Sequence, residues 1–375
     1  MSAQPIENQV PAYIRQIRAY QPGKPIEEVE RELGIHAIKL ASNENPLGPS
    51  PLAVEALRRA APDSNWYPDG AGYYLRRRLS ERLGVPMDAL MIGAGSCELI
   101  DLVARTLLAS GDNAVTSEGS FPLYYTAVQA TGEALVCVPL RQYAFDLQGI
   151  ARAVDARTKL VYLANPNNPT GTMFTADEFD AFLERVPESA VVVLDEAYFE
   201  YADRPGYSRS LQRVREGRNL LVLRTFSKIY GLAGLRVGYA AGPPGLLAQM
   251  HKVRQPFNVS GVSQAAALAA LEDAEHVRRS LENNRRGLAQ IQAGLAAQGV
   301  EFVPSVANFV FARLGPETNR IAEELLRAGV IVRPMAWMGF PEAIRVSVGT
   351  PEENEKFLSA LAECRAAPVR PPAGR

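Results

Sequence analysis

Residues 160–171, LVYLANPNNPTG, pass from a strand-like run into a turn-like run within one short stretch. The first five residues are all apolar, which is typical of a strand that is buried on both faces of a sheet. The next seven contain two prolines, three asparagines and a glycine, so regular structure has to end at Asn165. An ordinary tight turn needs only about two or three such residues. The longer run indicates that amide groups here are directed at a ligand.

Six further apolar runs have the same strand-like character. Helical patterns separate them, such as Cys97–Leu108 and Ala176–Val186, and Thr175 and Glu178 are spaced as a capping box before the second of these. Buried strands that alternate with helices predict an α/β fold, with a large domain built on a mostly parallel seven-stranded sheet flanked by helices. The six runs are 90–92, 114–116, 135–138, 191–194, 220–224 and 236–240.

The last hundred or so residues follow a different pattern. A long helical region runs from Ser260 to about Gln298, and a smaller α+β domain is expected there, joined by the proline-interrupted N-terminal arm. Its other expected elements are strands near 307–312, 331–332 and 344–348 and helices at about 319–328 and 352–364. The predicted division is an arm that contributes to the small domain (1–50), a large domain (51–258), a small C-terminal domain (259–365) and a disordered tail (366–375).

Composition narrows the class of protein. The chain has 375 residues, and its 40 Lys and Arg against 41 Asp and Glu give a formal net charge of −1. That balance offers no basic field for nucleic acid and no basic tract for an anionic membrane. The longest clean apolar run, Ala265–Leu271, is too short to span a bilayer, and the first residues lack a signal-peptide profile. Three cysteines and three histidines, all scattered, predict a cytoplasmic protein without disulfides or a metal site.

Reactive side chains follow two more of the predicted strands. Asp195 comes directly after the run 191–194, where a buried carboxylate needs a cationic partner unless it caps a helix. Thr225-Phe226-Ser227-Lys228 follows the run 220–224, and Arg236 stands eight residues after the lysine. A lysine among apolar residues at a strand end is easily held neutral, as a Schiff-base lysine requires, although the same residue could be an ordinary surface lysine.

A glycine turn, Gly93-Ala94-Gly95-Ser96-Cys97-Glu98, stands between a predicted strand and a predicted helix. Its backbone amides can bind phosphate at the helix N-terminus. It lacks the third glycine of a dinucleotide fingerprint, which disfavours a nicotinamide dehydrogenase. It also lacks the lysine of a Walker motif. Open α/β sheets bind ligands at the carboxyl ends of their strands, where all four clusters should meet. A phosphate site, a carboxylate and an amine together match the demands of pyridoxal phosphate.

These motifs resemble those of the pyridoxal-phosphate-dependent aminotransferases of fold type I. Other stretches resemble one branch of that family, the histidinol-phosphate aminotransferases, and the resemblance extends from about residue 13 to residue 364. It implies a homodimer with active sites shared between subunits, which moves an amino group from histidinol phosphate to 2-oxoglutarate in histidine biosynthesis. The stretches are SNENPLG at 42–48, YPDG at 67–70, YGLAGLR at 230–236 and RVSVGT at 345–350.

The resemblance also implies roles for the residues of the cofactor site. Lys228 would bond covalently to the cofactor and then move the proton between the substrate Cα and the cofactor. Asp195 would pair with the pyridine nitrogen, while Tyr198 and Asn168 would hydrogen-bond the phenolate oxygen. The phosphate would be held by Ser227, Arg236, the amides of Ser96 and Cys97, and Tyr67 of a second subunit. Relatives commonly carry Asp or Asn at position 97, so the cysteine puts the side-chain contact there in doubt.

On the substrate side, Arg345 matches the arginine that receives the substrate's anionic group, a carboxylate in most relatives and a phosphate in this branch. Tyr20, Asn43 and Arg333 would complete that pocket. Tyr124 matches the aromatic residue that stacks on the cofactor ring, with the adjacent Tyr125 as the alternative.

Two other enzymatic functions fit the same resemblance. One is an aromatic amino acid aminotransferase, for which Trp337 and Phe340 between the two arginines could form an apolar pocket. The other, more distant, is a decarboxylase of the threonine-phosphate type. A cofactor-binding regulator of transcription would need an appended DNA-binding domain, and the arm is too short to be one.

Overall fold

The computed structural model of the chain describes residues 5–21 and 23–366. The predicted tail therefore lies outside the described residues except for Ala366, which ends the last helix. Within the described ranges the strands are β1 Ile38–Lys39, β2 Leu90–Gly93, β3 Asn113–Ser117, β4 Ala134–Val138, β5 Thr158–Ala164, β6 Val191–Asp195, β7 Leu220–Thr225, β8 Gly238–Ala241, β9 Glu301–Val303, β10 Phe309–Arg313, β11 Val330–Ile331, β12 Arg333–Pro334 and β13 Ala343–Ser347.

The α-helices of the same ranges are α1 Ala12–Arg15, α2 Ile26–Leu33, α3 Pro51–Ala60, α4 Tyr73–Leu83, α5 Gly95–Leu107, α6 Pro122–Gln129, α7 Leu147–Ala153, α8 Ala176–Leu183, α9 Ser210–Arg215, α10 Pro244–Val253, α11 Gly261–Ala270, α12 Ala274–Ala297, α13 Thr318–Arg327 and α14 Pro351–Ala366. None of these helices is both long and apolar enough to cross a membrane.

The large sheet has seven strands in the order β2-β8-β7-β6-β5-β3-β4. Only β8 runs against its neighbours, pairing antiparallel with β2 and β7, while the other pairs are parallel. The prediction of a mostly parallel seven-stranded sheet is confirmed, and all seven apolar runs form strands. The central strands β5, β6 and β7 each contain a continuous apolar run, 160–164, 191–194 and 220–223, because helices cover both faces of the sheet. Their carboxyl ends lie side by side, which brings residues 165, 195 and 225 to one edge.

Local side-chain bonds explain where several helices begin. Ser50 Oγ accepts from Ala53 N at the start of α3, and the predicted capping box at Thr175 and Glu178 is present at the start of α8. The long helical region expected from Ser260 is wrong in one respect, because it is two helices, α11 and α12. Asp273 separates them: one carboxylate oxygen accepts from His276 N and caps α12, and the other accepts from Ser50 Oγ at 2.6 Å.

The C-terminal third forms a four-stranded antiparallel sheet in the order β12-β13-β10-β9, packed against α12, α13 and α14. A separate parallel pair, β1 with β11, joins the segment after the N-terminal arm to this region. The strand expected at 331–332 is two short strands, β11 and β12, and β9 and β1 were not predicted because they are only three and two residues long. The helix α11 packs on α3 beside the large sheet. The predicted domain limits stay a prediction.

Candidate functional site

A cavity opens at the carboxyl edge of the large sheet, between that sheet and the C-terminal third of the chain. It brings together residues that the sequence analysis selected from widely separated motifs. The predicted residues that line it are Tyr20, Asn43, Ser96, Cys97, Tyr124, Asn168, Asp195, Tyr198, Ser227, Lys228, Arg236, Arg333 and Arg345. Tyr67 is absent from this lining, and its place is described below.

Lys228 lies just beyond the end of β7 with its amine inside the cavity. The Nζ atom donates to Ser42 O at 3.1 Å and lies 5.6 Å from the centroid of the Tyr198 ring. Burial lowers the pKa of Lys228 to about 8, and the nearby positive charges of Arg345 and Arg236 act in the same direction. The amine is therefore much easier to deprotonate than an exposed lysine, and it can act as a nucleophile or as a base near neutral pH.

Asp195 ends β6 and is buried at the floor of the cavity. One carboxylate oxygen accepts from Tyr124 Oη at 2.8 Å and the other from Ala197 N at 3.0 Å. Burial raises the pKa of Asp195 to about 6, although both hydrogen bonds oppose that rise. Because both oxygens accept from neutral donors, a cationic nitrogen beside this carboxylate would offset the cost of its burial.

The wall opposite the sheet edge is a hydrogen-bonded group of polar side chains. Asn43 Nδ2 donates to Tyr198 Oη at 2.8 Å. Arg345 donates to Asn168 Oδ1 at 2.5 Å and to Ala41 O at 2.7 Å. The Arg345 side chain is buried, and its Nε has no hydrogen-bond partner among the described residues. A buried guanidinium with an unused N–H and no carboxylate bonded to it is suited to receive an anion.

The N-terminus of α5 forms an anion cradle with Arg236. Ser96 and the next residue supply the first backbone N–H groups of the helix, which point away from the helix body. Arg236 Nη1 donates to Ser227 Oγ at 3.2 Å. Gly95 has a φ of +76°, and a Cβ atom there would lie 2.5 Å from Arg236 Nη2, so only glycine lets the guanidinium approach the helix terminus. Helix terminus, hydroxyl and guanidinium together favour a phosphate group.

Comparison with known proteins agrees with this chemistry. The sequence model of the family described as aminotransferase class I and II matches residues 35–361. The chain is 47% identical over 351 residues to the protein named histidinol-phosphate aminotransferase 1 of Nitrosococcus oceani, covering 93% of this chain and 95% of that protein. It is 48% identical over 355 residues to the histidinol-phosphate aminotransferase of an Anaeromyxobacter species, covering 94% and 98%. The chain belongs to the histidinol-phosphate aminotransferases.

Solved structures place this aminotransferase in the same fold. The structure of histidinol-phosphate aminotransferase from Sinorhizobium meliloti in complex with pyridoxal-5'-phosphate has a TM-score of 0.87 at 32% identity, covering 97% of this chain and 98% of that one. Aspartate aminotransferase from Thermus thermophilus with maleate has a TM-score of 0.81 at 26% identity, covering 95% and 99%. The prediction of a pyridoxal-phosphate-dependent aminotransferase of fold type I is confirmed.

The aromatic residues of this aminotransferase's cavity differ from the expectation in one detail. Tyr124 is fully buried, lies flat against Tyr162 at 5.1 Å between centroids, and bonds Asp195 through its hydroxyl. Tyr125 instead donates to Ser117 O at 2.6 Å and does not line the cavity. Phe121, which the sequence analysis missed, is half-buried and lines it. Its spacing of three residues from Tyr124 at the start of α6 was the signal that could have revealed it.

The outer part of the cavity is formed by the N-terminal arm and β12. The guanidinium carbon of Arg333 lies 4.7 Å from the centroid of the Trp337 ring and 5.8 Å from that of Tyr20, and Arg333 also donates to Gln21 O. Tyr20 meets Trp337 edge-on at 5.4 Å. Trp337 and Phe340 belong to an apolar cluster with Phe311, Met335 and Met338 and are not among the residues that line the cavity, so the apolar pocket suggested for them stays a prediction.

Tyr67 lies on a different surface of the aminotransferase. Its side chain is 82% exposed and stacks on Phe257, with centroids 4.6 Å apart and rings inclined by 22°. Trp66, at 74% exposure, is next to it, and both belong to a shallow depression that also includes Pro68 and Pro256. Trp66, Tyr67 and Phe257 together form a contiguous exposed aromatic patch.

Proposed function

We propose that this protein catalyses transamination between histidinol phosphate and 2-oxoglutarate, forming imidazole acetol phosphate and glutamate, as a step of L-histidine biosynthesis. The observation that carries the proposal is the position of Lys228 between two anion sites. The positive charges of Arg236, in the cradle at α5, and of Arg345, in the opposite wall, both lower the pKa of its amine. One site suits the phosphate of a cofactor and the other the phosphate of a substrate.

The residues of the sheet edge fit pyridoxal phosphate. The absence of a Cβ atom at Gly95 lets the Arg236 guanidinium lie against the N-terminus of α5, and Asp195 has two oxygens that accept only from neutral groups. When bound, the cofactor supplies an electron sink for the negative charge that develops at the substrate Cα. The residues assigned to hold it are Lys228, Asp195, Asn168, Tyr198, Tyr124, Ser227, Arg236 and the amides of Ser96 and Cys97, with Phe121 as a further aromatic neighbour of the ring.

Lys228 moves the proton in this proposal. Its amine is buried beside Tyr198 and has a pKa of about 8, so it can accept a proton from the substrate Cα and return it. Asp195 stays ionised at neutral pH once a cationic nitrogen lies beside it, because that charge opposes the effect of burial on its pKa. Tyr198 is held by Asn43, and its hydroxyl remains free to donate to an oxygen in the cavity.

Arg345 and Arg333 bind the substrate's anionic end. The Nε–H of Arg345 has no partner among the described residues, and the bonds to Asn168 Oδ1 and Ala41 O fix the orientation of its guanidinium group. Arg333 is aligned by Tyr20 and Trp337, with Asn43 nearby on the same wall. Two guanidinium groups can neutralise a phosphate dianion, and one alone is enough for the carboxylate of a 2-oxo acid. The small-molecule partners are thus an amino donor and a 2-oxo acid.

The protein acts as a homodimer in this proposal, in the cytoplasm, where its three free cysteines stay reduced. Trp66, Tyr67 and Phe257 form an exposed aromatic patch that a second copy would cover. Tyr67 would then reach the cofactor phosphate of the partner, as its counterpart does in the family that the sequence resembles. Its high exposure in the single chain supports this role.

The decisive experiment is a visible absorption titration of the cofactor-loaded protein with histidinol phosphate in the absence of any keto acid. The proposal predicts loss of the visible cofactor band, followed by its return when 2-oxoglutarate is added. Bleaching by phenylalanine but not by histidinol phosphate would assign the protein to aromatic amino acids. Release of carbon dioxide without need for an acceptor would indicate the decarboxylase instead. A protein that cannot be loaded with pyridoxal phosphate would contradict the whole proposal.

A further inference from the structure

Residues 254–258, between α10 and α11, contact the loop that carries Tyr67. Phe257 stacks on Tyr67, and Arg254 Nη2 donates to Gly70 O at 3.0 Å. The ring of Phe257 also lies against Gly70, within 3.5 Å of where a Cβ atom would stand. The position of the aromatic patch is therefore set by this short segment, which we call the coupling segment.

The other side of the coupling segment reaches the anion cradle of the same chain. Asn258 Nδ2 donates to Glu98 Oε2 at 2.5 Å, and the same oxygen accepts from Ala94 N at 2.6 Å. Ala94 directly precedes Gly95, where α5 and the cradle begin. Arg254 completes the chain of bonds, because it donates to the Asn258 side-chain oxygen as well as to Gly70 O. A continuous hydrogen-bonded path thus leads from Gly70, in the loop that carries Tyr67, to Ala94 at the start of the cradle.

Two features show that the coupling segment adopts an energetically unfavourable conformation. Phe257 has a φ of +55°, a left-handed conformation that bulky residues adopt only where their surroundings impose it. Arg254 Nε is buried without a hydrogen-bond partner among the described residues. Phe257 nevertheless leaves 44% of its side chain exposed, so its burial within the single chain does not account for the arrangement. Strain of this kind persists where it positions groups for a function.

We propose that Arg254 and Asn258 are positioning residues that couple cofactor binding to pairing with a second copy of the chain. The inference rests on the proposed function, because it takes pyridoxal phosphate as the ligand of the cradle and Tyr67 as a residue that serves the partner. Binding of phosphate fixes Ala94 and Glu98, and through Asn258 and Arg254 it fixes the patch in the form that a second copy contacts. Linkage requires the reverse effect as well, so pairing strengthens cofactor binding.

The test measures two equilibrium constants on the full-length chain. The dissociation constant for pyridoxal phosphate is obtained by absorption titration of the cofactor-free protein, and the constant for self-association by sedimentation with and without cofactor. Asn258→Ala removes the bonds to Arg254 and Glu98 and is expected to weaken both by about tenfold. Glu98→Ala should do the same from the other side of the bond, and it serves as the second variant if Asn258→Ala does not fold.

Two control variants test whether the effect comes from the hydrogen bonds of Glu98, and not from its charge or from general destabilisation of the fold. Glu98→Gln keeps an oxygen that can accept from Ala94 N, so both constants should stay within about twofold of the wild type. Arg105→Gln removes a different link between α5 and the end of α10, the bond to Val253 O, and should change neither constant. If Asn258→Ala and Glu98→Ala, with far-ultraviolet spectra like the wild type, weaken only one constant or neither, the coupling is refuted. A wild-type protein that binds no pyridoxal phosphate, or stays monomeric with it, refutes the proposed function instead.

Discussion

The two sides of the cavity are built in different ways. The cofactor side consists of the ends of neighbouring parallel strands and one helix N-terminus. Each of its central groups, Asp195 and Ser227, has one bond to a residue two positions away, Ala197 N and Thr225 Oγ1, and a second to Tyr124 or Arg236 beside the same sheet edge. The substrate side is assembled from the arm, β12 and β13, and its arginines bond to residues far away in sequence, as Arg345 does to Asn168. The cofactor side is thus fixed by the sheet, whereas the substrate side depends on how distant segments meet. Substitutions on the two sides should therefore alter different constants.

The largest effect is expected at the residue shared by both sides. Lys228→Ala should lower the rate of the amino-transfer half-reaction by about 10⁴-fold or more, because it removes the group that both attaches to the cofactor and moves the proton. The cradle is intact, so the variant should still retain pyridoxal phosphate non-covalently. Stopped-flow absorption measures the rate, and Lys252→Ala, an exposed lysine on α10, is the control. A half-reaction slowed by less than about tenfold would remove Lys228 from the proton transfer.

A pair of arginine variants tests the division directly. Arg345→Gln should raise the KM for histidinol phosphate on the order of 100-fold while the affinity for the cofactor changes little, because a charge-assisted contact to substrate is lost. Arg236→Gln should do the reverse, weakening cofactor binding on a similar scale with KM near the wild-type value at saturating cofactor. Steady-state kinetics and cofactor titration on both variants give the answer. Equal effects of both substitutions on both constants would contradict the division.

The pH dependence of cofactor loading tests whether Arg345, on the substrate side, affects the pKa of Lys228, on the cofactor side. Attachment needs the free amine of Lys228, so the loading rate of the cofactor-free protein should rise with pH through a midpoint near 8. In Arg345→Gln a positive charge that lowers the pKa of Lys228 is gone, and the midpoint should move upward. At pH 7 the variant should accordingly load more slowly than the wild type. A midpoint that is unchanged or moves downward would show that Arg345 does not act on the amine.

The smallest effect is expected behind the substrate side. Trp337→Leu removes the ring that lies 4.7 Å from the Arg333 guanidinium. A contact of this type contributes about 1 kcal/mol, so the KM for histidinol phosphate should rise about fivefold with kcat unchanged. Tyr13→Leu, a partly exposed aromatic residue of the arm outside the cavity lining, provides the comparison. A fall in kcat of similar size would mean that Trp337 affects the reacting atoms as well as the binding site.

Much of the cofactor side could be predicted from the sequence because its signals are local. A buried parallel strand is a continuous apolar run, and the polar residue that follows it must lie at the sheet edge, as Asp195 does. The substrate side gave no such local signal. Nothing near Arg345 in the sequence indicates its bond to Asn168. Arg345 itself was selected through a family resemblance.

The other features that the sequence did not predict also depend on contacts between distant segments. The break between α11 and α12 contains no glycine or proline; Asp273 caps α12 there and also accepts from Ser50, a contact that sequence spacing cannot reveal. The spacing of Phe121 from Tyr124 makes it a candidate, but its place in the cavity lining follows only from the fold. Features that depend on contacts between distant segments were therefore the ones that the sequence did not predict.

Asp273 makes the junction between α3 and α12 sensitive to acid. This single carboxylate holds the starts of α3 and α12, and so connects the helix beside the large sheet to the helix that supports the C-terminal sheet. Burial opposes ionisation, but the bonds from Ser50 and His276 N keep the pKa of Asp273 below its ordinary value. The stabilisation is present at neutral pH and is lost as the pH falls through that lowered pKa. Protonation of Asp273 should therefore weaken the starts of α3 and α12 in the same step.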